Sequence, residues 1–421
     1  MRRQVASNLA WMLIERGLQV AGGIGIVAML ARGLGPEGFA HFQYAQAVVY
    51  IAASVALICS AEVIIPRLVA STEPIAQHRL LMHAFGLRFG AGVIAYLLIG
   101  AFLLVTGQGP DIWVPTLILG VAVMLREPFG VVTAWMQSRT STRPNAVFNV
   151  SSLAVKAACV ALLFWVGNQS VPAYAAAFSI EPLLVAILLT LYYLTRAPRT
   201  HVKADPALAG DLLRSGTLFW VSFVLMMGSR RVDQLLLKPL VPLTEFGAYA
   251  ASMQILDNFV VLATILSAGI APIYVYAKPT LAQARRNIMK ITGGMFAVGL
   301  AGGLAIAACA HWIVDLLYGP AFAEATSLLQ LAALASTLVF ADVALTLLPI
   351  YMRRPHLVAI KWGLVCAATI AIDVAAIPVF GARGAILGYA AANLLAVLFG
   401  FFVWLRQEPA VLSRREAGAK V

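Results

Sequence analysis

The chain has 421 residues, 61% hydrophobic and 11% charged, and its 30 Lys and Arg against 18 Asp and Glu give a net charge of +12. So few charges cannot cover the surface of a soluble globular domain, so that class is excluded. The excess of positive charge belongs to membrane topology and attraction to anionic lipid, not to a nucleic-acid partner.

About 20 apolar residues in a helix cross about 30 Å of hydrocarbon. By that measure twelve spans follow one another, at 8–30, 41–65, 84–105, 113–136, 146–166, 172–194, 214–237, 247–272, 288–310, 325–349, 359–379 and 385–405. The longest connection, about 195–213, holds the Pro-containing stretch Ala197-Pro198-Arg199 to Ala204-Asp205-Pro206, and no extramembrane domain fits between spans. With the N-terminus inside, twenty-two of the Lys and Arg fall at the cytoplasmic face, Arg67, Arg79, Arg88, Arg285, Arg286, Lys290 and Lys361 among them. Arg32, Lys238 and Arg383 fall outside, and five cations lie within spans. This alternation predicts an even helix number with both termini cytoplasmic. Met1-Arg2-Arg3 before an apolar run resembles a signal peptide, but Glu15 and Arg16 interrupt the run and eleven spans follow, so it reads as an uncleaved first helix.

In the first span Asn8, Trp11, Glu15 and Gln19 share one stripe, and Gly22, Gly23 and Gly25 make the helix pliable. Gln43, Gln46 and Tyr50 form a stripe on the second. Arg126-Glu127-Pro128 interrupts the fourth, Lys156 the fifth and Glu181-Pro182 the sixth; each proline removes a backbone hydrogen bond and predicts a kink beside a buried acid. The seventh carries Ser222, Ser229, Arg230, Arg231 and Asp233, with Arg230 placed to pair with Asp233, and the eighth adds Gln254, Asp257 and Asn258. Asp342 and Asp373 lie in the tenth and eleventh. Gly86/Gly90, Gly299/Gly303 and Gly384/Gly388 have the spacing of close helix packing. Cys59, Cys159, Cys309 and Cys366 are scattered one per span, which fits buried packing and no disulfide or metal framework.

At about 2.5 kcal/mol or more for each charge facing lipid, seven embedded acids and five embedded cations would cost on the order of 30 kcal/mol. They must face each other, water or a ligand. Arg16, Arg126, Lys156, Arg230 and Arg231 are therefore candidate anion-binding cations, with Glu15, Gln19, Gln46, Gln254 and Asn258 as polar cavity residues. Arg230 with Asp233 reads equally as a structural pair, and Arg126 beside Glu127 or Glu15 beside Arg16 as local neutralisation. Lys156 has no acid nearby in sequence, which favours an anionic substrate over an interhelical pair. Asp233, Asp257, Glu127 and Glu181 are candidate sites for H+ or Na+ coupling, because buried acids can hold a proton or cation.

Two halves are related by weak internal matches. Phe39-Ala40-His41-Phe42 resembles Phe246-Gly247-Ala248-Tyr249, Pro66 recurs as Pro272, and Tyr174-Ala175-Ala176-Ala177 recurs as Tyr389-Ala390-Ala391-Ala392. The expected architecture is all-α: a six-helix lobe at 1–195, a cytoplasmic linker at 196–213 and a second six-helix lobe at 214–421, arranged around a central cavity.

Several segments together resemble a known family. They are Ala31-Arg32-Gly33-Leu34-Gly35-Pro36-Glu37-Gly38-Phe39, Arg231-Val232-Asp233-Gln234 with Phe246-Gly247-Ala248-Tyr249-Ala250, Leu317-Tyr318-Gly319-Pro320-Ala321-Phe322, and Ile377-Pro378-Val379-Phe380-Gly381-Ala382-Arg383-Gly384-Ala385. In this order and at these helix positions the chain resembles the bacterial oligosaccharide-lipid (Wzx-like) flippases of the multidrug, oligosaccharidyl-lipid and polysaccharide exporter superfamily. It departs at Ala40, where the family usually has glycine. The resemblance implies movement of a polyprenyl-diphosphate-linked oligosaccharide between membrane leaflets for polysaccharide or O-antigen synthesis, with a polysaccharide polymerase and other assembly proteins as partners. The embedded cations would meet the diphosphate or acidic sugars, and the Gln, Asn, Ser and Tyr stripes the glycan. A drug or metabolite antiporter of the same superfamily would share the bundle. A major-facilitator transporter lacks support, because Pro66 to Pro74 does not carry its Gly- and Arg-rich signature. A glycan polymerase would be expected to show a large periplasmic loop, and no phosphate-cradling Gly-Lys-Ser/Thr loop indicates ATP use.

Overall fold

The computed structural model describes residues 2–71, 73–139, 143–198, 200 and 202–406, with the side chains of 2–16 outside the description. Fourteen α-helices account for nearly all of them, and no strand occurs among the described residues. They are α1 (Arg2–Ala56), α2 (Ala61–Ala70), α3 (Pro74–Thr106), α4 (Pro110–Ser138), α5 (Arg143–Trp165), α6 (Val171–Leu194), α7 (Pro206–Ser229), α8 (Val232–Leu237), α9 (Leu243–Ala271), α10 (Leu281–Leu317), α11 (Ala325–Leu345), α12 (Leu347–Tyr351), α13 (Pro355–Phe380) and α14 (Ala382–Arg406).

Eleven helical segments among the described residues are long and apolar enough to cross a membrane. The first of them holds two crossings. At about 1.5 Å per residue the 55 residues of α1 would extend about 80 Å, far more than one bilayer. The helix breaks at Gly35, whose φ of 67° and ψ of 178° are non-helical, and Pro36 lacks the N–H that would continue the ladder. The twelve predicted spans thus all fall on helices, with the second interrupted at 57–60, between α1 and α2, the seventh at 230–231, between α7 and α8, and the tenth at Thr346, between α11 and α12. Large apolar side chains such as Val105 (88% exposed) and Leu316 (77%) are bare, as a lipid-facing surface allows and water does not. Trp165 stands exposed at the last residue of α5, where an indole suits the membrane–water boundary.

Two compact units divide at Arg231/Val232. The predicted lobes divide instead at 196–213, a stretch in which α7 already begins at Pro206, capped by Asp205 accepting from the N–H groups of Ala207 and Leu208 at 3.1 Å. Helix α7 joins the first unit because its side chains close the break in the second span. Trp220 donates its indole N–H to the carbonyls of Ser54 (3.2 Å) and Val55 (3.1 Å), and Arg67 pairs with Asp211 at 2.8 Å. Cys59, Ile64 and Leu68 pack there with Trp135, Tyr193 and Leu212 in one apolar cluster.

In the second unit α10 packs on α11, α11 on α9 and α14, and α13 on α14. Of the three glycine pairs, two serve this packing. A Cβ at Gly299 would lie 2.9 Å from the Phe340 ring, one at Gly303 2.7 Å from the Ala333 carbonyl, and one at Gly384 2.4 Å from the Ala376 carbonyl. Gly86 and Gly90, by contrast, have nothing within 4 Å, so their predicted packing role is corrected: spacing alone does not say which face meets a neighbour.

Candidate functional site

The embedded charges separate by how each is satisfied. Lys156 on α5 forms an ion pair with Glu181 on α6, and its ammonium lies 5.0 Å from the centroid of the Phe178 ring. This corrects the expectation that Lys156 is unaccompanied: its partner is 25 residues away in sequence but adjacent in the bundle. Glu181, expected as a coupling acid, is that partner.

Lys361, assigned to a cytoplasmic loop by its place in the sequence, is instead 4% exposed inside the second unit. Its nitrogen is 2.9 Å from each Asp342 oxygen and 2.8 Å from the Thr346 hydroxyl. Three acceptors for three ammonium hydrogens is the arrangement a buried lysine needs. Arg88, also expected at the cytoplasmic face, is 5% exposed within α3. Its guanidinium donates to the carbonyls of Ile58 (3.1 Å), Cys59 (2.9 Å) and Glu127 (2.9 Å). The planar fork thereby serves the open carbonyls at the break in the second span, which no adjacent helical turn can satisfy.

Arg126 lies near the middle of α4, is exposed, and forms no ion pair with Glu127 or any other acid among the described residues. Local neutralisation at 126–127 is therefore corrected, since consecutive helical residues point about 100° apart. Arg230 is likewise exposed, at the end of α7, and Arg231 places its guanidinium 5.0 Å from the Tyr50 ring centroid. Gln19, Gln46, Gln254, Asp257 and Asn258 are half-buried, and Asn258 donates its amide to the Gln254 carbonyl at 3.0 Å. The predicted stripe members Asn8, Trp11 and Glu15 and the predicted cation Arg16 lie outside the described side chains.

Asp233 on α8 is 5% exposed and accepts a hydrogen bond from the Tyr249 hydroxyl of α9. Helix α8 packs on α13, where Asp373 is fully buried with neither carboxylate oxygen hydrogen-bonded. Gly388 of α14 faces Asp373: a Cβ there would fall 1.8 Å from Oδ1. Sequence reasoning marked Asp373 as an embedded acid but did not join it to Asp233. The available signal was that the eleventh span holds an acid and no cation in its central turns. No group of three or more His, Cys, Asp or Glu arranged for a metal occurs among the described residues. A cleft of about 510 Å³ in the first unit is lined by His78, Phe85, Phe129, Tyr193 and other mainly apolar residues, and none of the predicted cations borders it.

The eleven membrane-length helical segments among the described residues, with charges inside them, define a polytopic membrane protein, and its fold is that of the MOP transporter superfamily. Solved structures similar to it include an inward-facing multidrug resistance MATE family transporter of that superfamily, with a TM-score of 0.71, 13% identity, and 92% of this chain and 93% of that one covered. Lipid II flippase MurJ in an inward closed conformation gives a TM-score of 0.71 at 12% identity over 94% of this chain and 87% of that one. A MOP superfamily transporter from Pyrococcus furiosus Vc1 gives 0.57 at 14% identity over 94% and 95%. Residues 5–274 match the family described as polysaccharide biosynthesis protein, and the chain belongs to that family. No curated protein matches the sequence.

Proposed function

We propose that this protein is a transporter, not an enzyme, that moves a polyprenyl-diphosphate-linked oligosaccharide from the cytoplasmic to the periplasmic leaflet of a bacterial inner membrane for polysaccharide assembly. The observation that carries the reading is Arg126: a cation exposed at mid-helix that pairs with no acid among the described residues, in a chain of the polysaccharide biosynthesis family. Hydrocarbon cannot accept that charge at acceptable cost, whereas a diphosphate or an acidic sugar can. Arg230, also exposed, extends the same chemistry, while Lys156 is withdrawn from it by Glu181.

Coupling falls to the second unit in this proposal. A fully buried carboxylate with no hydrogen-bond partner is costly to hold charged, so Asp373, on a helix that packs against that of Asp233, is the group placed to take up a proton or a monovalent cation. The likeness to a MATE family transporter supports a second reading, ion-coupled efflux of a drug or metabolite.

The deciding experiment reconstitutes the full chain in vesicles containing a polyprenyl-diphosphate-linked oligosaccharide and follows glycan exposure to an external lectin. Time-dependent exposure above that of protein-free vesicles, reduced at least tenfold by Arg126→Ala, is expected. Glycan exposure equal to that of protein-free vesicles, with export of a cationic dye along an ion gradient, would assign the protein to efflux.

A further inference from the structure

We propose that the cleft between the start of α10 and the end of α14 holds the phosphate headgroup of an anionic phospholipid of the surrounding membrane. The cleft encloses about 430 Å³ and is lined by Ala282, Arg285, Arg286, Met289, Lys290 and Trp404. The α10 residues fall at i, i+3, i+4, i+7 and i+8, one continuous helical face. Three of the six lining residues are cations and none is an acid.

One cation is fixed and two are open. The Arg285 Nη2 donates to the Trp404 carbonyl at 2.6 Å, its guanidinium lies 4.7 Å from the Trp404 ring centroid, and the Trp404 indole N–H donates back to the Arg285 carbonyl at 3.4 Å. This clamp leaves the Arg285 Nε buried with no hydrogen-bond partner. A buried guanidinium N–H without an acceptor is costly, and an incoming phosphate oxygen would satisfy it. Arg286 and Lys290, one turn apart, are exposed and have neither an ion pair nor a hydrogen bond from their side chains among the described residues. Asp342, an acid of the same unit, is already committed to Lys361.

The depth of the cleft selects a membrane lipid. The 37 residues of α10 extend about 55 Å, against about 30 Å of hydrocarbon, so its terminal turns stand in the headgroup layer. At the end of α14, Phe402 (50% exposed) and Leu405 (65%) are bare, and the Arg406 guanidinium lies 4.7 Å from the Phe402 ring centroid. Apolar surface next to three cations and an indole matches a phosphate joined to acyl chains, which sets this site apart from a site for a free anion. The site is independent of the transported substrate, and its test does not use transport.

The experiment is native mass spectrometry of the full-length protein released from detergent with phosphatidylglycerol or phosphatidylcholine of identical acyl chains. Retention of phosphatidylglycerol over phosphatidylcholine as a single tight adduct is expected, and Arg286→Ala with Lys290→Ala should weaken it about thirtyfold. Arg143→Ala with Lys203→Ala removes the same charge from exposed positions elsewhere and should leave retention unchanged. If the cleft double variant aggregates, Arg286→Gln and Lys290→Gln measured singly should each show about a fivefold loss. Equal retention of both lipids, or undiminished retention by the cleft variants, would overturn the proposal. So would protection against heat unfolding by inorganic phosphate equal to that by phosphatidylglycerol, which would assign the cleft to a free anion.

Discussion

Lys361 and Asp342 face each other across α13 and α11, with both carboxylate oxygens 2.9 Å from the ammonium and both residues about 95% buried. Removing one partner strands the other charge in an apolar interior. Asp342→Asn or Lys361→Gln should therefore destabilise the protein by about 3–5 kcal/mol, while Lys361→Met with Asp342→Leu should cost much less. Thermal unfolding in detergent measures this, and single variants that melt with the wild type would remove the pair from the stability of the second unit.

The Lys156–Glu181 pair gives a different expectation because it is partly open to its surroundings, with side chains 12% and 26% exposed. Lys156→Gln alone should lower membrane abundance. The double variant with Glu181→Gln should regain both abundance and glycan exposure in the vesicle assay. Normal abundance with lost transport in the double variant would return Lys156 to the substrate path.

Arg88 is irreplaceable by lysine on geometric grounds. A single ammonium cannot reach the Ile58, Cys59 and Glu127 carbonyls in the way a planar fork does. Arg88→Lys should cost about 3 kcal/mol, and Trp220→Phe, which deletes only an indole N–H, about 1 kcal/mol. Hydrogen exchange of the amides of 54–64 reports the break directly; unchanged protection in Arg88→Lys would contradict the assignment.

For coupling, Asp373→Asn replaces a buried carboxylate with a neutral amide of the same shape. Abundance should hold or rise, and flipping should lose its dependence on an imposed proton or sodium gradient. Gly388→Ala, which drives a methyl group into the Asp373 carboxylate, should reproduce the loss and also lower stability. Gradient dependence that survives Asp373→Asn would place coupling elsewhere.

Topology is checked with cysteines placed at the exposed Ser170 and Thr200 in a variant lacking the four native cysteines. An impermeant thiol reagent should label the two from opposite sides of the membrane. Labelling of both from one side would defeat the twelve-span arrangement.

The spans were legible because hydrocarbon thickness imposes a fixed length of apolar sequence, and all twelve fall on helices. The break at Gly35 was also accessible, since Gly-Pro within a long helical pattern is a local signal. The charge partners were not. Lys156 meets Glu181, Lys361 meets Asp342 and Arg88 meets Cys59 at separations of 25, 19 and 29 residues, distances at which sequence carries no pairing rule. Arg88 and Lys361 were further disguised by lying near the ends of apolar runs, where a cation ordinarily marks a loop. The division after Arg231 depends on α7 side chains reaching a helix break in the second span, a contact invisible until both are folded.

That contact bears on the order of synthesis. The Ser54 and Val55 carbonyls receive the Trp220 indole about 165 residues later in the chain. During sequential insertion the second span enters the membrane well before its donor has been made, and must wait with those carbonyls served by water or lipid headgroups. A nascent chain released before residue 220 is complete thus holds an unfinished first half, and one released after it does not. The seventh span is, in effect, the last piece of the first assembly step.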